Sequence, residues 1–174
     1  MSDTAGAISA VSDGSTALHD SVWTGNEVEV HELLLTGANL HARDKHGRLP
    51  IHLAAMMGHD PVIKALCING SPRNDIAGDG TAPLHKALEE GNVNTAKRLI
   101  SYGADPRLPL QDGTTPLHLA AYSGIEEAVH LLVRNGAKLD AQKSNGRTPL
   151  FEAATACNYD AARELLRYGA NRGE

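Results

Sequence analysis

Four histidines stand at equal intervals along the chain, and they are the residues most suited to metal or acid–base chemistry. His19, His52, His85 and His118 are each separated by 33 residues. Two ligands of one zinc ion must each approach it to about 2.1 Å, whereas neighbouring helices pack about 8–10 Å apart. Members of such a column, one on each successive helix, are too far apart to share an ion. We therefore expect these histidines to support the architecture and predict no metal site.

The other reactive residue types show no catalytic pattern. The sequence has no phosphate-binding glycine loop, no nucleophile elbow and no C-x-x-C pair. Cys67 falls among apolar residues of a helical segment, which predicts a buried thiol that packs as a small hydrophobic group. No residue is assigned as catalytic or cofactor-binding, and the chain is predicted not to be an enzyme.

Composition excludes several classes of protein. A net charge of −5 and a pI near 6.0 argue against binding to nucleic acid through a general basic surface. No apolar run approaches the roughly 18 residues that a membrane helix needs, and two cysteines do not make a disulfide framework. These features predict an intracellular protein, cytoplasmic or nuclear, that is monomeric and binds neither nucleic acid nor membrane.

Glycine spacing reveals an internal repeat. Three columns of glycines recur every 33 residues and account for 14 of the 17 glycines in the chain. One column begins at Gly14, one at Gly25 and one at Gly37. The second and third columns follow helix-compatible segments, where a chain that leaves a helix needs positive φ. Each repeat therefore predicts a turn, a short helix, a longer antiparallel helix and an extended return.

Apolar residues follow the same register. Leucines or isoleucine recur at Leu18, Ile51, Leu84, Leu117 and Leu150; leucines also recur at Leu33, Leu66, Leu99, Leu132 and Leu165; alanines recur at Ala54, Ala87, Ala120 and Ala153. One helix pair could not bury such a face alone. Five pairs stacked side by side would form one continuous core, as in a solenoid.

The motif T-P-L-H-x-A at this period resembles the ankyrin repeat. The segment "TTPLHLAAYSGIEEAVHLLVRNGAKLDAQ" (114–142) carries the resemblance most fully. The resemblance covers 11–172, divided into repeats 11–43, 44–76, 77–109, 110–142 and 143–172, with 1–10 as a flexible N-terminal segment. It implies an all-α solenoid with short β-hairpin fingers, a concave groove beside the shorter helices, and recognition of a protein partner. It also implies that each histidine bonds the backbone of the neighbouring finger.

Some repeats depart from the motif at the start of the first helix. Thr115 and Thr148 are suited to cap a free backbone N–H there, whereas the second and third repeats have Leu49 and Ala82 instead. We expect less secure helix starts in those repeats. Prolines at 72, 106 and 109 predict fingers that lack part of their hairpin ladder.

Cys157 occupies the glycine column that ends the first helix of the fifth repeat. A non-glycine residue in the left-handed conformation costs about 1–2 kcal/mol. We expect either strain at Cys157 or a shift of the turn onto Asn158, which tolerates that conformation better.

The candidate binding surface is taken from the positions that usually bind partners in the family. The finger positions are Lys45, His46, Arg48, Asp79, Gln111, Asp112, Asn145 and Arg147, and the exposed ends of the first helices contribute Trp23, Met56, Met57, Glu89, Glu90 and Tyr122. Tryptophan, tyrosine, methionine and arginine are enriched in interfaces. The alternative is that Trp23 covers the open end of the first repeat and that Met56 packs against it.

Charge is uneven along the chain. Residues 1–42 contain six acids and no lysine or arginine. This end either attracts a basic partner or forms a polar cap that keeps the first repeat soluble. The predicted function is a non-enzymatic protein-binding module. The alternative is a structural or targeting segment of a larger multidomain protein.

Overall fold

The computed structural model describes residues 14–171, and that part of the chain contains ten α-helices in five antiparallel pairs. The first helices of the pairs, here the inner helices, are α1 (Ala17–Thr24), α3 (Pro50–Met57), α5 (Pro83–Glu89), α7 (Pro116–Tyr122) and α9 (Pro149–Thr155). The outer helices are α2 (Glu27–Leu35), α4 (Asp60–Ile68), α6 (Val93–Ser101), α8 (Glu126–Arg134) and α10 (Tyr159–Arg167). The predicted flexible segment 1–10 lies outside the described residues, as do 11–13 and 172–174.

Inner helices stack on inner helices and outer helices on outer helices, so one core runs through the array. The alanine column is fully buried at all four positions, which lets successive inner helices approach closely. The leucine column of the outer helices is fully buried from Leu66 onward, whereas Leu33 is partly exposed. The predicted all-α solenoid is confirmed.

The helix ends use the glycine columns as expected. All 14 glycines of the three columns have positive φ. Cys157 has φ 58°, and it is the one non-glycine residue with positive φ among residues 14–171. Asn158 keeps φ −87°, so the turn has not shifted onto it. Of the two expectations for this position, the strained cysteine is the one that the structure contains.

The expectation of β-hairpin fingers is wrong in one respect, because no β-strand occurs within residues 14–171. Each of the four described fingers is a tight turn closed by two backbone bonds, such as Asp44 N–H to the Arg48 carbonyl at 3.0 Å and Gly47 N–H to the Asp44 carbonyl at 2.8 Å. The turns at 77–81, 110–114 and 143–147 close in the same way. The arms make no further pairs. The prolines therefore do not single out two fingers, because all four fingers at 44–48, 77–81, 110–114 and 143–147 lack a ladder.

Two pairs of neighbouring fingers are in direct backbone contact. The N–H of Gly78 donates to the carbonyl of His46 at 2.9 Å, and a Cβ at position 78 would collide with that carbonyl oxygen. Glycine at 78 is therefore required by the approach of the preceding finger and not by its own φ. A serine stands at the equivalent position 144, where the N–H donates to the Asp112 carbonyl at 2.8 Å.

Candidate functional site

Three histidines of the column, His19, His52 and His118, join their inner helix to backbone later in the chain. His118 Nδ1 lies 3.1 Å from the backbone N of Thr115, and its Nε2 lies 3.0 Å from the carbonyl oxygen of Arg147 in the next finger. An N–H can only donate, so Nδ1 accepts and the proton sits on Nε2, which donates to the carbonyl. His19 makes the same pair of bonds, to Thr16 and to the Arg48 carbonyl. The structural role predicted for this column is confirmed for these two residues.

Burial favours the neutral form of His52, His85 and His118. It lowers the pKa of His52 and of His118, and it lowers the pKa of His85 to about 4, although the Leu108 backbone acts in the opposite direction there. A neutral ring is what the geometry needs, because a protonated Nδ1 could no longer accept the backbone N–H.

The predicted threonine cap is wrong at Thr115. The Thr115 hydroxyl lies 2.8 Å from His118 Nδ1 and makes no capping bond to the backbone. His118 in turn accepts the N–H of Thr115, the residue just before the helix. For the same reason Leu49 and Ala82 start their helices without a hydroxyl, since His52 and His85 accept their N–H groups at 3.2 and 3.3 Å. Only in the fifth repeat, which has no such histidine, does Thr148 cap, by accepting from Phe151 N–H at 3.3 Å.

The finger turns and the exposed side of the inner helices face each other across a shallow depression, here called the inner groove. Between the second and third repeats it widens into a pocket of about 490 Å³ lined by Lys45, His46, Gly47, Arg48, Met56, Gly78, Asp79 and Lys86. Five of the predicted binding residues therefore line one pocket. Met56 is partly buried at its base, and this agrees in part with the alternative of a packing role.

Most of the charges in this pocket are paired within the protein. Arg48 Nη2 lies 2.7 Å from the buried Asp44 carboxylate, and Lys86 Nζ lies 2.8 Å from Asp79 and 3.1 Å from Glu89. Hydrogen bonds from Lys86 and Thr81 outweigh partial burial and hold the pKa of Asp79 far below its usual range. Lys86 was missed by the sequence analysis. Its signal was a lysine at a helix position where neighbouring repeats have Leu53 and Leu119.

A second pocket of about 250 Å³ lies in the same groove between the fourth and fifth repeats. It is lined by Leu110, Thr114, His118, Leu119, Tyr122, Lys143 and Glu152. Glu152 is buried, and Lys143 Nζ lies 3.3 Å from its carboxylate and 3.9 Å from that of Asp112. Hydrogen bonds from Thr114 lower the pKa of Asp112. Lys143 and Glu152 were also missed. Glu152 occupies the same column as Lys86, so this column was the signal for both.

Large apolar side chains remain exposed along the groove. Trp23 is 48% exposed, Met57 39% and Tyr122 60%. Trp23 and Tyr122 share one register position with Met56 and Glu89, and Met57 shares the next with Glu90, which is exposed. Half of the indole of Trp23 faces solvent, so packing within the chain leaves it largely uncovered.

The remaining predicted finger residues are exposed but are not brought into either pocket. Gln111 and Asn145 lie at the turns of their fingers, and Asn145 Oδ1 accepts the N–H of Arg147. The Arg147 guanidinium lies 5.1 Å over the ring of Phe151. Phe151 is 47% exposed and was not predicted as a site residue, although its place in the histidine column distinguished it.

Neither metal binding nor membrane insertion is suggested by the described residues. Within 14–171 no three His, Cys, Asp or Glu side chains converge in a way that could hold a metal ion. No helix in that range has the length and apolar character that crossing a membrane requires.

Comparison with known proteins agrees with this architecture. The family model described as "Ankyrin repeats (3 copies)" matches residues 18–109 and 84–173. Proteins of that family are generally protein–protein interaction modules and are typically not enzymes. A search of curated proteins finds no match.

Proposed function

Because the chain belongs to the ankyrin-repeat family, we propose that it is a non-enzymatic module that binds a partner protein along its inner groove and finger turns. The observation that supports this most strongly is the exposure of Trp23, Met57 and Tyr122 on one side of the array. The shared core does not need these side chains. Exposed aromatic and methionine residues that are ringed by polar groups are typical of binding hot spots.

The charges of the groove define the complementary partner. The carboxylate of Glu89 is already bound by Lys86, so Glu90 is the acid that faces solvent beside Met57. The partner should place a lysine or arginine opposite the third repeat. At the finger edge it should meet the exposed Lys45 and His46 with acidic or neutral groups.

Two pairs of variants test the location of the site. Tyr122→Ala and Met57→Glu change the inner groove, and Tyr159→Ala and Ile68→Glu change outer-helix residues that are still more exposed. Each variant is immobilised, and the proteins that it captures from cell extract are quantified by mass spectrometry. The amount of a groove-binding partner that is captured should fall about tenfold with the two groove variants, as expected for removal of a hot spot. The two outer-helix variants should capture it as the parent protein does.

Thermal unfolding of all four variants serves as the control. Each substitution is at an exposed position, so each should leave the melting temperature nearly unchanged. The proposed site is wrong if the outer-helix variants lose the captured protein while the groove variants keep it.

A further inference from the structure

The interfaces between successive repeats, here called seams and numbered by the repeats they join, differ in their hydrogen bonds. Seam 2/3 has four kinds of bond. Between fingers, the Gly78 N–H donates to the His46 carbonyl at 2.9 Å, and at the helix ends the Asn92 amide donates to the Met56 carbonyl at 2.8 Å. Between outer helices, the Thr95 hydroxyl donates to Asp60 at 2.5 Å. Between the extended segments that follow the outer helices, here called returns, the Asp105 N–H donates to the Asn74 side chain at 2.9 Å.

Seam 4/5 repeats the same four kinds of bond and adds the histidine bond of His118. They are Ser144 N–H to the Asp112 carbonyl at 2.8 Å, Asn158 to the Ala121 carbonyl at 3.3 Å, Tyr168 to His130 at 2.5 Å, and Asn171 N–H to Asp140 at 2.8 Å. Seam 1/2 is also bonded, by His19 to the Arg48 carbonyl and by His59 to the Trp23 carbonyl.

Seam 3/4 has none of these bonds. Among the described residues, no hydrogen bond or ion pair joins 77–109 to 110–142. His85 Nε2 is buried and makes no hydrogen bond to the fourth repeat, and the backbone that raises its pKa, that of Leu108, belongs to its own repeat.

The sequence accounts for two of the missing bonds. Ile125 stands where Asn92 and Asn158 donate to the preceding helix end, and its side chain has no donor. Arg107 stands where Asn74 and Asp140 accept an N–H, and a guanidinium cannot accept. The segment that leads to the fourth finger contains Pro106 and Pro109, which fix φ and remove two N–H groups.

Apolar packing is what remains at seam 3/4. Leu88, Leu99 and Leu132 near it are all fully buried. Apolar contact is not directional, so packed helices can slide or tilt by small steps without breaking specific bonds. In an array where each repeat contacts only its neighbours, the interface with the fewest hydrogen bonds is where relative movement of the repeats occurs first.

We propose that seam 3/4 is a flexible joint that divides the array into two rigid units, repeats 1–3 and repeats 4–5. The joint lies between Glu90 and Tyr122, so its movement changes the distance between the two ends of the inner groove. This consequence for binding rests on the proposed function, whereas the joint itself does not. A partner that contacts both units would fix the curvature of the groove.

Spin-label distances in the isolated protein test the joint without any partner. His31, Lys97 and Arg163 are exposed and occupy one register column of the outer helices. Labels at His31→Cys and Lys97→Cys span seams 1/2 and 2/3, whereas labels at Lys97→Cys and Arg163→Cys span seams 3/4 and 4/5. Each pair should be about 16–20 Å apart, because neighbouring helices are separated by 8–10 Å. The background is Cys157→Gly, since Cys67 is buried.

The pair that spans seam 3/4 should give the broader distance distribution. Ile125→Asn supplies the amide that seams 2/3 and 4/5 use, so it should narrow that distribution. Asn158→Ile removes the amide from seam 4/5 and should broaden it further. Equal widths for the two label pairs in the parent protein would overturn the joint, even if Ile125→Asn did not fold. A broad distribution that Ile125→Asn leaves unchanged would overturn the assignment to missing bonds. Neither result would bear on partner capture.

Discussion

The fourth and fifth repeats begin with nearly the same residues, but their inner helices sit in different environments. In the fourth, Leu117 and Ala121 are fully buried and His118 bonds on both sides. In the fifth, Leu150 is partly exposed and Ala154 is exposed. Phe151 replaces the histidine, and its ring is half in solvent. The difference teaches that a position in the repeat acquires its role from the repeat that packs on it.

The largest expected effect is that low pH destabilises the start of the fourth repeat more than that of the fifth. The pKa of His52, His85 and His118 is lower in the folded chain than the usual 6.5, because burial disfavours the charged ring. The unfolded chain therefore binds more protons below pH 6.5. Stability should be complete above that pH and fall as pH drops toward 4. The pKa of about 4 for His85 corresponds to a loss on the order of 3 kcal/mol in the free energy of unfolding.

Urea unfolding between pH 7.5 and 4.5 measures this loss, and amide exchange locates it. Protection of the Thr115 N–H, which His118 accepts, should fall more than protection of the Phe151 N–H, which a hydroxyl accepts. Equal losses at the two sites would contradict the role of the imidazole.

Removing the His118 side chain should have the second-largest effect on stability. His118→Ala leaves the Thr115 N–H and the Arg147 carbonyl without their partner, which should lower the free energy of unfolding by about 1–3 kcal/mol. Phe151→Ala, at the same register position, removes a half-exposed ring and should cost less. Phe151→His should change stability by less than about 0.5 kcal/mol, since no finger follows α10 within the described residues. Urea denaturation of the three variants gives the ranking, and an equal cost for His118→Ala and Phe151→Ala would refute it.

The smallest expected effect is at the end of the inner helix. Cys157→Gly relieves a left-handed non-glycine residue and should stabilise the chain by about 1 kcal/mol. Gly124→Ala makes the reverse change in the fourth repeat, where φ is +71° and a Cβ would lie 2.7 Å from Asn158. It should destabilise by at least as much. Thermal melts should therefore move in opposite directions, and a lower melting temperature for Cys157→Gly would mean that its thiol packs usefully.

The repeat register predicted the helices because the glycine columns indicate where each helix ends and the leucine columns indicate which face it buries. The same register predicted His118 as a support. It did not predict that the Thr115 hydroxyl contacts His118 Nδ1 and leaves the helix uncapped, because the packed geometry of the two side chains decides which bond forms.

The site was less predictable, because pairing among surface charges depends on distances between repeats. Arg48 and Asp79 fell at finger positions but are bound to Asp44 and Lys86. The exposure of Tyr122 followed from its register position. The missing hydrogen bonds of seam 3/4 became apparent only from a comparison between repeats. Ile125 has no side-chain donor and Arg107 no acceptor, whereas their counterparts in other repeats donate or accept a bond across the seam.

The histidine bond gives the array a direction. In repeats 1 and 4 the donor belongs to the earlier repeat and the acceptor, a finger carbonyl, to the later one. Removing repeats from the carboxyl end therefore leaves the buried histidine N–H without its acceptor. Removing repeats from the amino end leaves a finger carbonyl without its donor, in a turn that water can reach. The same bond is lost in both cases, but only the first leaves a buried group without a partner, so the two ends of this array are not equivalent as places to cut it.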